Sequence, residues 1–254
     1  MDPWRTALVS ADATSIWIRG RDITSLMRES TFTDVIVLLH AGRLPSPAER
    51  RLLDAILIGV SDHGAGSPSC AAARLAASGN RQSLSAAIAA GVLTIGDEHG
   101  GAGSNCMELI ASGLALAKRD GLSPAAAAAR VVDAAVREQR RLPGIGHRVH
   151  TDDPRIPALF GMAREEGLAG DGIAFMEALA AEVCARITPL TINIDGALAA
   201  ILHDLGFPPA FGRLLFIIGR VAGISAEVAE EHEREKPMRI RIDVAYDGVA
   251  PGSE

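Results

Sequence analysis

Residues 46–60 read SPAERRLLDAILIGV, the start of a helix followed by its apolar face. Ser46 and Glu49 have the spacing of a capping box, and Pro47 takes the first helical position, where its missing N–H costs nothing. The apolar residues that follow recur on one side of a helix: Leu52, Leu53, Ile56, Leu57 and Val60. The stretch predicts an amphipathic helix and indicates a core built between helices.

Start signals and breakers elsewhere predict five more helices. They are expected over about residues 124–140, 173–187, 195–206, 210–221 and 225–234. Ser123-Pro124 has the same N-terminal pattern as Ser46-Pro47. Asp171 is the predicted cap of the second of these helices. Pro189 interrupts the chain before the third. The abundant alanines favour helices and allow them to pack closely.

Strand signals are confined to the two ends of the chain. Ile16-Trp17-Ile18 is short and β-prone, and residues 240–246 (IRIDVAY) alternate strictly between apolar and polar. The second segment is therefore either a terminal strand or an extended arm. The predicted fold class is all-α with short β segments at the termini, and residues 247–254 are expected to be a loose tail.

Composition excludes several classes of protein. The net charge of −6 over 254 residues argues against a nucleic-acid-binding surface. The longest uncharged run, residues 82–96, contains Ser, Thr and two Gly, so no membrane span is expected. The N-terminus lacks the basic and apolar regions of a signal peptide. Three cysteines without CxxC spacing are expected to be reduced thiols in a cytoplasmic protein, not zinc ligands or disulfides.

Three of the seven histidines lie in glycine-flanked turns: His63 in DHGAG, His99 in GDEHGGAG and His147 in PGIGHR. Glycine there allows positive φ and close approach of a ligand to the backbone, and an accessible imidazole titrates near neutral pH. Each histidine taken alone is more often a turn or capping residue, but three in such turns together favour a functional site. Their spacing contains no HxxxH or HxxEH pair, so no metal site is expected. A GxSxG nucleophile motif and a GxGxxG nucleotide loop are also absent.

These turns carry a family resemblance. In chain order the segments resemble the conserved ones of the citrate synthase superfamily: IRGRDI (18–23), LLHAGRLP (38–45), GDEHGGA (96–102), GIGHRV (144–149) with DPR (153–155), NID (193–195) and FIIGRVAG (216–223). The resemblance runs from about residue 16 to residue 248. Full citrate synthases have extra N-terminal helices. Asp195-Gly196 and the Ile in GIGHR resemble stand-alone citryl-CoA lyases and the citryl-CoA-cleaving module of ATP-citrate lyase.

The resemblance implies three acid/base groups. His147 would take the proton from the tertiary alcohol of citryl-CoA, and His99 would hydrogen-bond the thioester oxygen. Asp195 would return a proton to the methylene carbon, and the same groups would act in reverse in condensation. Without the other two residues, Asp195 could equally be a helix cap.

The resemblance also implies the binding residues. His63, Arg155 and Arg220 would hold the ketoacid carboxylates, although Arg155 lies one residue closer to His147 than in the family. Arg239 or Arg241 would supply a further cation, a choice left open. Residues expected at coenzyme A are Leu142, Gly144, Ile145, Gly146 and Arg148. The alternative for each arginine is a solvated surface charge.

The implied organisation is one citrate-synthase-like unit over 1–254. Its larger helical part would span about residues 1–100 and 205–254, and its smaller part about 101–204. A homodimer is implied in which the late arginine crosses to the neighbouring subunit. No permanent cofactor is expected, since coenzyme A enters as a thioester substrate, and a separate protein could activate citrate. Two alternatives stay open: a short citrate or 2-methylcitrate synthase, and a catalytically silent module that binds CoA esters.

Overall fold

The computed structural model describes residues 3–146, 152–249 and 252, and these are mainly helical. The helices are α1 (Ile23–Glu29), α2 (Phe32–Ala41), α3 (Pro47–Ser61), α4 (Pro68–Gly79), α5 (Leu84–Leu93), α6 (Ala102–Asp120), α7 (Pro124–Arg137), α8 (Arg155–Glu165), α9 (Asp171–Arg186), α10 (Ile194–Asp204) and α11 (Ala210–Arg234). The predicted all-α class is confirmed. Helix α3 starts as expected, with both hydrogen bonds of the Ser46–Glu49 capping box formed. No helix of the described residues combines the length and apolar character needed to cross a membrane.

A small antiparallel sheet precedes the helices. It consists of β1 (Val9–Ala11), β2 (Ile16–Ile18) and β3 (Arg21–Asp22) in that order, and β2 confirms the strand predicted at Ile16-Trp17-Ile18. The turn between β2 and β3 is Arg19-Gly20, with φ of 49° and 77°. Two successive positive φ values are typical of the type I′ turn, whose twist matches that of the strands it joins.

Backbone contacts divide the chain into two compact units. The first comprises Met1–Asp62 and Ile95–Arg220, and the second comprises His63–Thr94 and Val221–Glu254. The larger and smaller parts implied by the family resemblance have other boundaries, and that division stays a prediction.

The core of the first unit is built on α6 and α10. Helix α6 packs against α7, α9 and α10, and α10 also packs against α3, α8 and α9. Gly113 of α6 allows close packing, because a Cβ at this position would lie 2.3 Å from the ring of Phe175. The central residues of α10 are buried on all sides of the helix: Ala197, Leu198, Ala199, Ala200, Ile201 and Leu202. Helix α10 is therefore a rigid platform for the residues at its N-terminus.

The second unit is a small helical assembly in which α4 packs against α5. A Cβ at Gly91 would lie 2.8 Å from the carbonyl oxygen of Ser69 and 3.1 Å from Cβ of Ala73. A charged cluster ties α4 to α11: Arg74 pairs with Glu227 at 2.5 Å and with the fully buried Glu231 at 2.9 Å. A buried carboxylate with such partners stays ionised at modest cost, whereas one left unpaired is strongly destabilising.

Two sequence predictions, and one of two alternatives for a third segment, are wrong. The helices expected over 210–221 and 225–234 form one helix, because Ile224 and Val228 are both buried four residues apart and burial outweighs the cost of Gly223. Asp171 lies inside α9, whose N-cap is Gly170. Of the two alternatives for residues 240–246, the strand is wrong, because this segment forms no helix or strand.

Candidate active site

Asp195 lies in the first turn of α10 but does not cap it. The cap is Asn193, whose Oδ1 accepts a hydrogen bond of 3.1 Å from the backbone N–H of Gly196. The capping explanation for Asp195 is thereby removed. The Oδ1 atom of Asp195 is buried and has no hydrogen-bond partner among residues 3–146 and 152–249. A buried carboxylate oxygen without a partner is costly and typical of a functional site.

The surroundings of Asp195 raise its pKa from 3.8 to about 6. Burial is the larger cause, since it disfavours the charged carboxylate. The positive charges of Arg155 and Arg220 act in the opposite direction and lower the pKa. The structure therefore brings three of the predicted site residues into electrostatic contact. A carboxyl group with this pKa can both accept and donate a proton near neutral pH.

The two arginines are held by protein groups. Arg155 begins α8 and forms a bidentate pair with the buried Asp153, with Nε–Oδ1 at 2.9 Å and Nη2–Oδ2 at 2.6 Å. Its Nη1 donates to the carbonyl oxygen of Gly59 at 2.8 Å. Arg220 is 2% exposed and donates from Nε to the carbonyl oxygen of Val60 at 2.8 Å. Neither is the solvated surface charge that the sequence left open.

His99 closes a tight loop in front of α6. Gly96 and His99 exchange backbone hydrogen bonds of 2.9 and 3.0 Å, so Asp97 and Glu98 form the two-residue tip. Gly100 follows with φ of 70°, and a Cβ there would lie 2.1 Å from the ring of Phe216. The imidazole meets that ring edge to face, with centroids 6.2 Å apart and planes at 82°.

Phe216 connects His99 with Arg220. Its ring is 3% exposed, and Cζ of Arg220 lies 4.9 Å from its centroid, within the range of a cation–π contact. One side chain therefore touches two of the predicted site residues. Phe216 opens the FIIGRVAG segment, but a phenylalanine at this point is typical of core packing, so its two contacts were not predictable from the sequence.

A cavity of about 1010 Å³ opens in the first unit beside Asp195. It is lined by the predicted coenzyme A residues Leu142, Gly144 and Ile145, and by Glu98, the neighbour of His99. Cavities of this size accommodate large organic ligands. Further lining residues were not expected from the sequence: Asn105, Glu108, Gln139, Arg140, Arg141 and Asn193. The consecutive arginines before LPGIG were a visible signal, since they put two cations beside the loop predicted to contact coenzyme A, whose phosphates are anionic.

Residues 142–146, the glycine loop, lie directly against α10. A Cβ at Gly144, whose φ is 84°, would lie 2.6 Å from Sγ of Cys106 and 2.8 Å from Cα of Gly196. Burial, and then the negative charge of Asp195, raises the pKa of the Cys106 thiol far above its usual range. Cys106 is therefore a neutral packing residue, which agrees with its interpretation from the sequence.

Of the remaining predicted residues, some belong to the second unit and some fall outside the described residues. His63 belongs to the second unit, just before α4. Arg239 pairs with the buried Glu231 at 2.9 and 2.5 Å and with Glu235 at 3.0 Å. His147 and Arg148 fall outside the described residues. Gly146, the last described residue of its loop, donates its N–H to the carbonyl oxygen of Thr191 at 2.8 Å.

The arrangement suits proton transfer to or from carbon. A carboxyl group with a pKa near neutrality is a competent acid or base, but a carbon next to a carbonyl also needs a partner for the oxygen charge. The cavity beside Asp195 is also lined by the loop residues Leu142, Gly144 and Ile145, so a ligand in it can contact both.

Comparisons with known proteins agree with this geometry. The family model "Citrate synthase, C-terminal domain" matches residues 45–241. The structure of citryl-CoA lyase from Hydrogenobacter thermophilus superposes with a TM-score of 0.87 and 36% identity, covering 98% of this chain and 96% of that one. ATP citrate lyase from Methanosaeta concilii, solved with (3S)-citryl-CoA, shares the fold over 42% of its chain, with a TM-score of 0.81 and 20% identity.

Curated relatives are mostly longer proteins. The protein named 2-methylcitrate synthase 2 from Corynebacterium glutamicum is 36% identical over 100 residues, which are 38% of this chain and 26% of that protein. This chain spans between 26% and 59% of the length of the first three curated relatives that it matches. The family model covers well over half of this chain, and together with the site geometry it shows that the chain belongs to the citrate synthase family.

Proposed function

We propose that this protein cleaves citryl-CoA to acetyl-CoA and oxaloacetate. The observation that carries the proposal is the shared cavity: Asp195, with its pKa of about 6, lines the same space as Leu142, Gly144 and Ile145. This common lining supports a role for Asp195 in proton transfer at the thioester end of a bound coenzyme A ester. The likeness to citryl-CoA lyase along nearly the whole of both chains supports the same reaction.

The proposed reaction uses three acid/base groups. His147 removes the proton from the tertiary alcohol, and the C–C bond breaks to give the ketone of oxaloacetate and the enolate of acetyl-CoA. His99 donates a hydrogen bond to the thioester oxygen while that charge is present. Asp195 then delivers its proton to the methylene carbon, which becomes the methyl group of acetyl-CoA.

The binding roles are proposals as well. Arg155, Arg220 and His63 hold the carboxylates of the ketoacid half, for which the fixed guanidinium of Arg220 is well suited. Arg148, with Arg140 and Arg141 of the cavity, neutralises the phosphates of coenzyme A. The reaction requires no metal or permanent cofactor, because proton transfers account for every step.

We further propose a homodimer in which residues 240–246 reach the neighbouring subunit. The exposed fractions of Ile242, Val244 and Tyr246 are 71%, 84% and 74%, as expected of a segment that a partner covers. Arg239 is tied to Glu231 of its own chain, whereas Arg241 is exposed. This favours Arg241 over Arg239 as the late carboxylate ligand, and it makes Arg239 an anchor of the arm.

The proposed setting is the cytoplasm, since the three cysteines are free thiols. Citrate itself is not a substrate for this chemistry, so a separate protein would convert it to its coenzyme A thioester.

A second candidate is the synthase reaction, the condensation of acetyl-CoA or propionyl-CoA with oxaloacetate. The local identity of 36% to a 2-methylcitrate synthase supports this second candidate. The test is mass spectrometry of the products formed from citryl-CoA and, separately, from each acyl-CoA with oxaloacetate. The lyase proposal expects acetyl-CoA and oxaloacetate from citryl-CoA. Steady release of free coenzyme A from an acyl-CoA and oxaloacetate, without citryl-CoA cleavage, would reverse the order.

A further inference from the structure

Two segments that line the cavity are joined directly to each other. Residues 142–146 form the glycine loop, and residues 191–196 lead into α10 and contain Asp195. The backbone N–H of Asn193 donates to the carbonyl oxygen of Gly144 at 3.0 Å, and the N–H of Gly146 donates to the carbonyl oxygen of Thr191 at 2.8 Å. These bonds make the loop and the start of α10 one backbone unit.

The two backbones also touch with no space between them. A Cβ on Gly196 would lie 2.4 Å from the carbonyl oxygen of Gly144 and 2.9 Å from Cγ2 of Ile192. Such a distance is far below van der Waals contact, so any larger residue at position 196 must move the loop away from the helix. Gly196 therefore fixes how close the loop lies to the turn that carries Asp195.

Asn193 connects the two segments through both ends of its amide. Its Oδ1 accepts from the N–H of Gly196 as the helix cap, while its Nδ2 donates to the carbonyl oxygen of Gly146 at 2.8 Å. With the amide assigned the other way round, Nδ2 would face the N–H of Gly196 and Oδ1 would face the carbonyl oxygen of Gly146, so neither hydrogen bond could form. Helix capping requires only the side-chain oxygen. The hydrogen bond from Nδ2 therefore has no part in capping and only holds the loop.

We propose that Asn193 and Gly196 are positioning residues that set the distance between the glycine loop and Asp195. This inference rests on the proposed function, in which the thioester lies along the loop and its α-carbon exchanges a proton with Asp195. A loop displaced by about an ångström would still bind the coenzyme, but the carbon would no longer meet the carboxyl group. Misplacement of that size typically costs up to about 100-fold in rate.

Two variants separate positioning from folding. Asn193→Ser keeps an oxygen that caps α10 but has no amide to reach Gly146. Gly196→Ala removes no hydrogen-bonding group and inserts one methyl group between the loop and the helix. The matched control is Gly161→Ala in α8, where a Cβ meets nothing within 4 Å.

Three quantities are measured for each variant: the Kd of coenzyme A by calorimetry, kcat for citryl-CoA, and incorporation of deuterium from D₂O into the methyl group of acetyl-CoA with oxaloacetate present. We expect Asn193→Ser and Gly196→Ala to lower kcat and the exchange rate together by roughly 10- to 100-fold. The Kd should change by no more than about threefold, and Gly161→Ala should match the wild type. A merely structural role would leave the exchange rate per folded molecule unchanged.

The result that overturns the inference is wild-type exchange in both variants, or a loss that follows only from weaker binding of coenzyme A. Asp195→Asn, measured in the same way, distinguishes this from failure of the proposed function. If Asp195→Asn abolishes exchange while Asn193→Ser and Gly196→Ala do not, only the positioning role is wrong. If Asp195→Asn exchanges normally, the proposed function itself fails.

Discussion

The carboxyl group of Asp195 combines burial with two nearby cations, and the two effects oppose each other. Burial has the larger influence on its pKa, so the folded protein binds the proton more tightly than the unfolded chain. Ionisation of Asp195 consequently lowers the free energy of unfolding, and the folded protein is less stable. Such a cost at one residue is common where catalysis requires an unfavourable environment.

Asp195→Asn should therefore stabilise the protein at neutral pH. Between 3.8, the ordinary pKa, and about 6, the folded state holds a proton that the unfolded state has lost, so stability falls as the pH rises through this interval. The penalty is absent below the interval and complete above it, at up to about 3 kcal/mol. Urea unfolding of both proteins near pH 4 and pH 7.5 measures it. An equal stability difference at both pH values would contradict the pKa shift.

Phe216 offers a second test at a single residue. Phe216→Leu removes the ring face beneath Arg220 and the edge contact with His99, so we expect the Kd of oxaloacetate to rise by about 5- to 30-fold, the worth of a desolvated cation–π contact. Phe175→Leu, in an equally buried ring of the same unit, is the control for lost packing. Calorimetry measures both. If the two variants bind oxaloacetate equally, Phe216 acts only as core.

Motifs in the sequence were sufficient to select Asp195 and the glycine loop, but not the contacts that hold the site residues in place. The pairing of Arg155 with Asp153 follows from the turn that begins α8, and the contact of Phe216 with Gly100 joins residues far apart in the chain. Cap signals were ambiguous because Asn193 and Asp195 are both good caps. Only the folded helix shows that Asn193 takes that role.

At the scale of secondary structure, α9 is stabilised by a residue from another helix. Asp204, the last residue of α10, accepts hydrogen bonds from the N–H groups of Gly170, Gly172 and Ile173 at 2.8, 2.7 and 3.1 Å. Burial acts to raise its pKa, but the neighbouring His203 and the hydrogen bonds from these N–H groups outweigh burial and hold the pKa below 3.8. This distant partner explains why Asp171 is not the cap that the local sequence suggested.

Asp204→Ala should lower the free energy of unfolding by about 1–3 kcal/mol at neutral pH, because three N–H groups lose their acceptor. Asp171→Ala, which removes only an acidic side chain from the first turn, should cost less than about 1 kcal/mol. The pKa of Asp204 is lower in the folded protein than in the unfolded chain. Its contribution to the free energy of unfolding is therefore present above the pKa of the unfolded chain and is lost as the pH falls through the pKa of the folded protein. Equal effects of the two variants in urea unfolding would contradict this explanation.

Helix starts with a proline or a capping box were predictable, and the continuity of α11 was not. Gly223 lies mid-helix where local propensity is low, yet burial of Ile224 and Val228 carries the helix through. Propensity therefore located the elements, while packing decided their lengths.

At the scale of the whole molecule, the arm provides a test of assembly. Arg239→Ala should destabilise the protein, since the buried Glu231 loses one of its two arginines. Arg241→Ala should leave stability unchanged and raise the KM for the ketoacid. Urea unfolding and steady-state kinetics of both variants measure these effects. Lost activity with unchanged stability in Arg239→Ala would contradict the assignment of Arg239 as the anchor.

Mixing subunits tests whether Arg241 crosses between chains. At substrate concentrations well below the raised KM of Arg241→Ala, the Asp195→Asn and Arg241→Ala homodimers should each be nearly inactive. In an equal random mixture, half of the dimers combine both chains and contain one intact site of two, so about a quarter of wild-type activity should return. No recovery in a mixture shown to exchange subunits would exclude a shared site.

The central claim is that Asp195 exchanges the carbon-bound proton during citryl-CoA cleavage, and its most direct test is the turnover of Asp195→Asn. Oxaloacetate release from citryl-CoA, followed by coupling to malate dehydrogenase, should fall by roughly 10²–10⁴-fold, while the Kd of citryl-CoA changes little. Asparagine keeps the shape of the side chain, so the loss would reflect the proton alone. A near-normal rate with citryl-CoA and also with acetyl-CoA plus oxaloacetate would contradict the account.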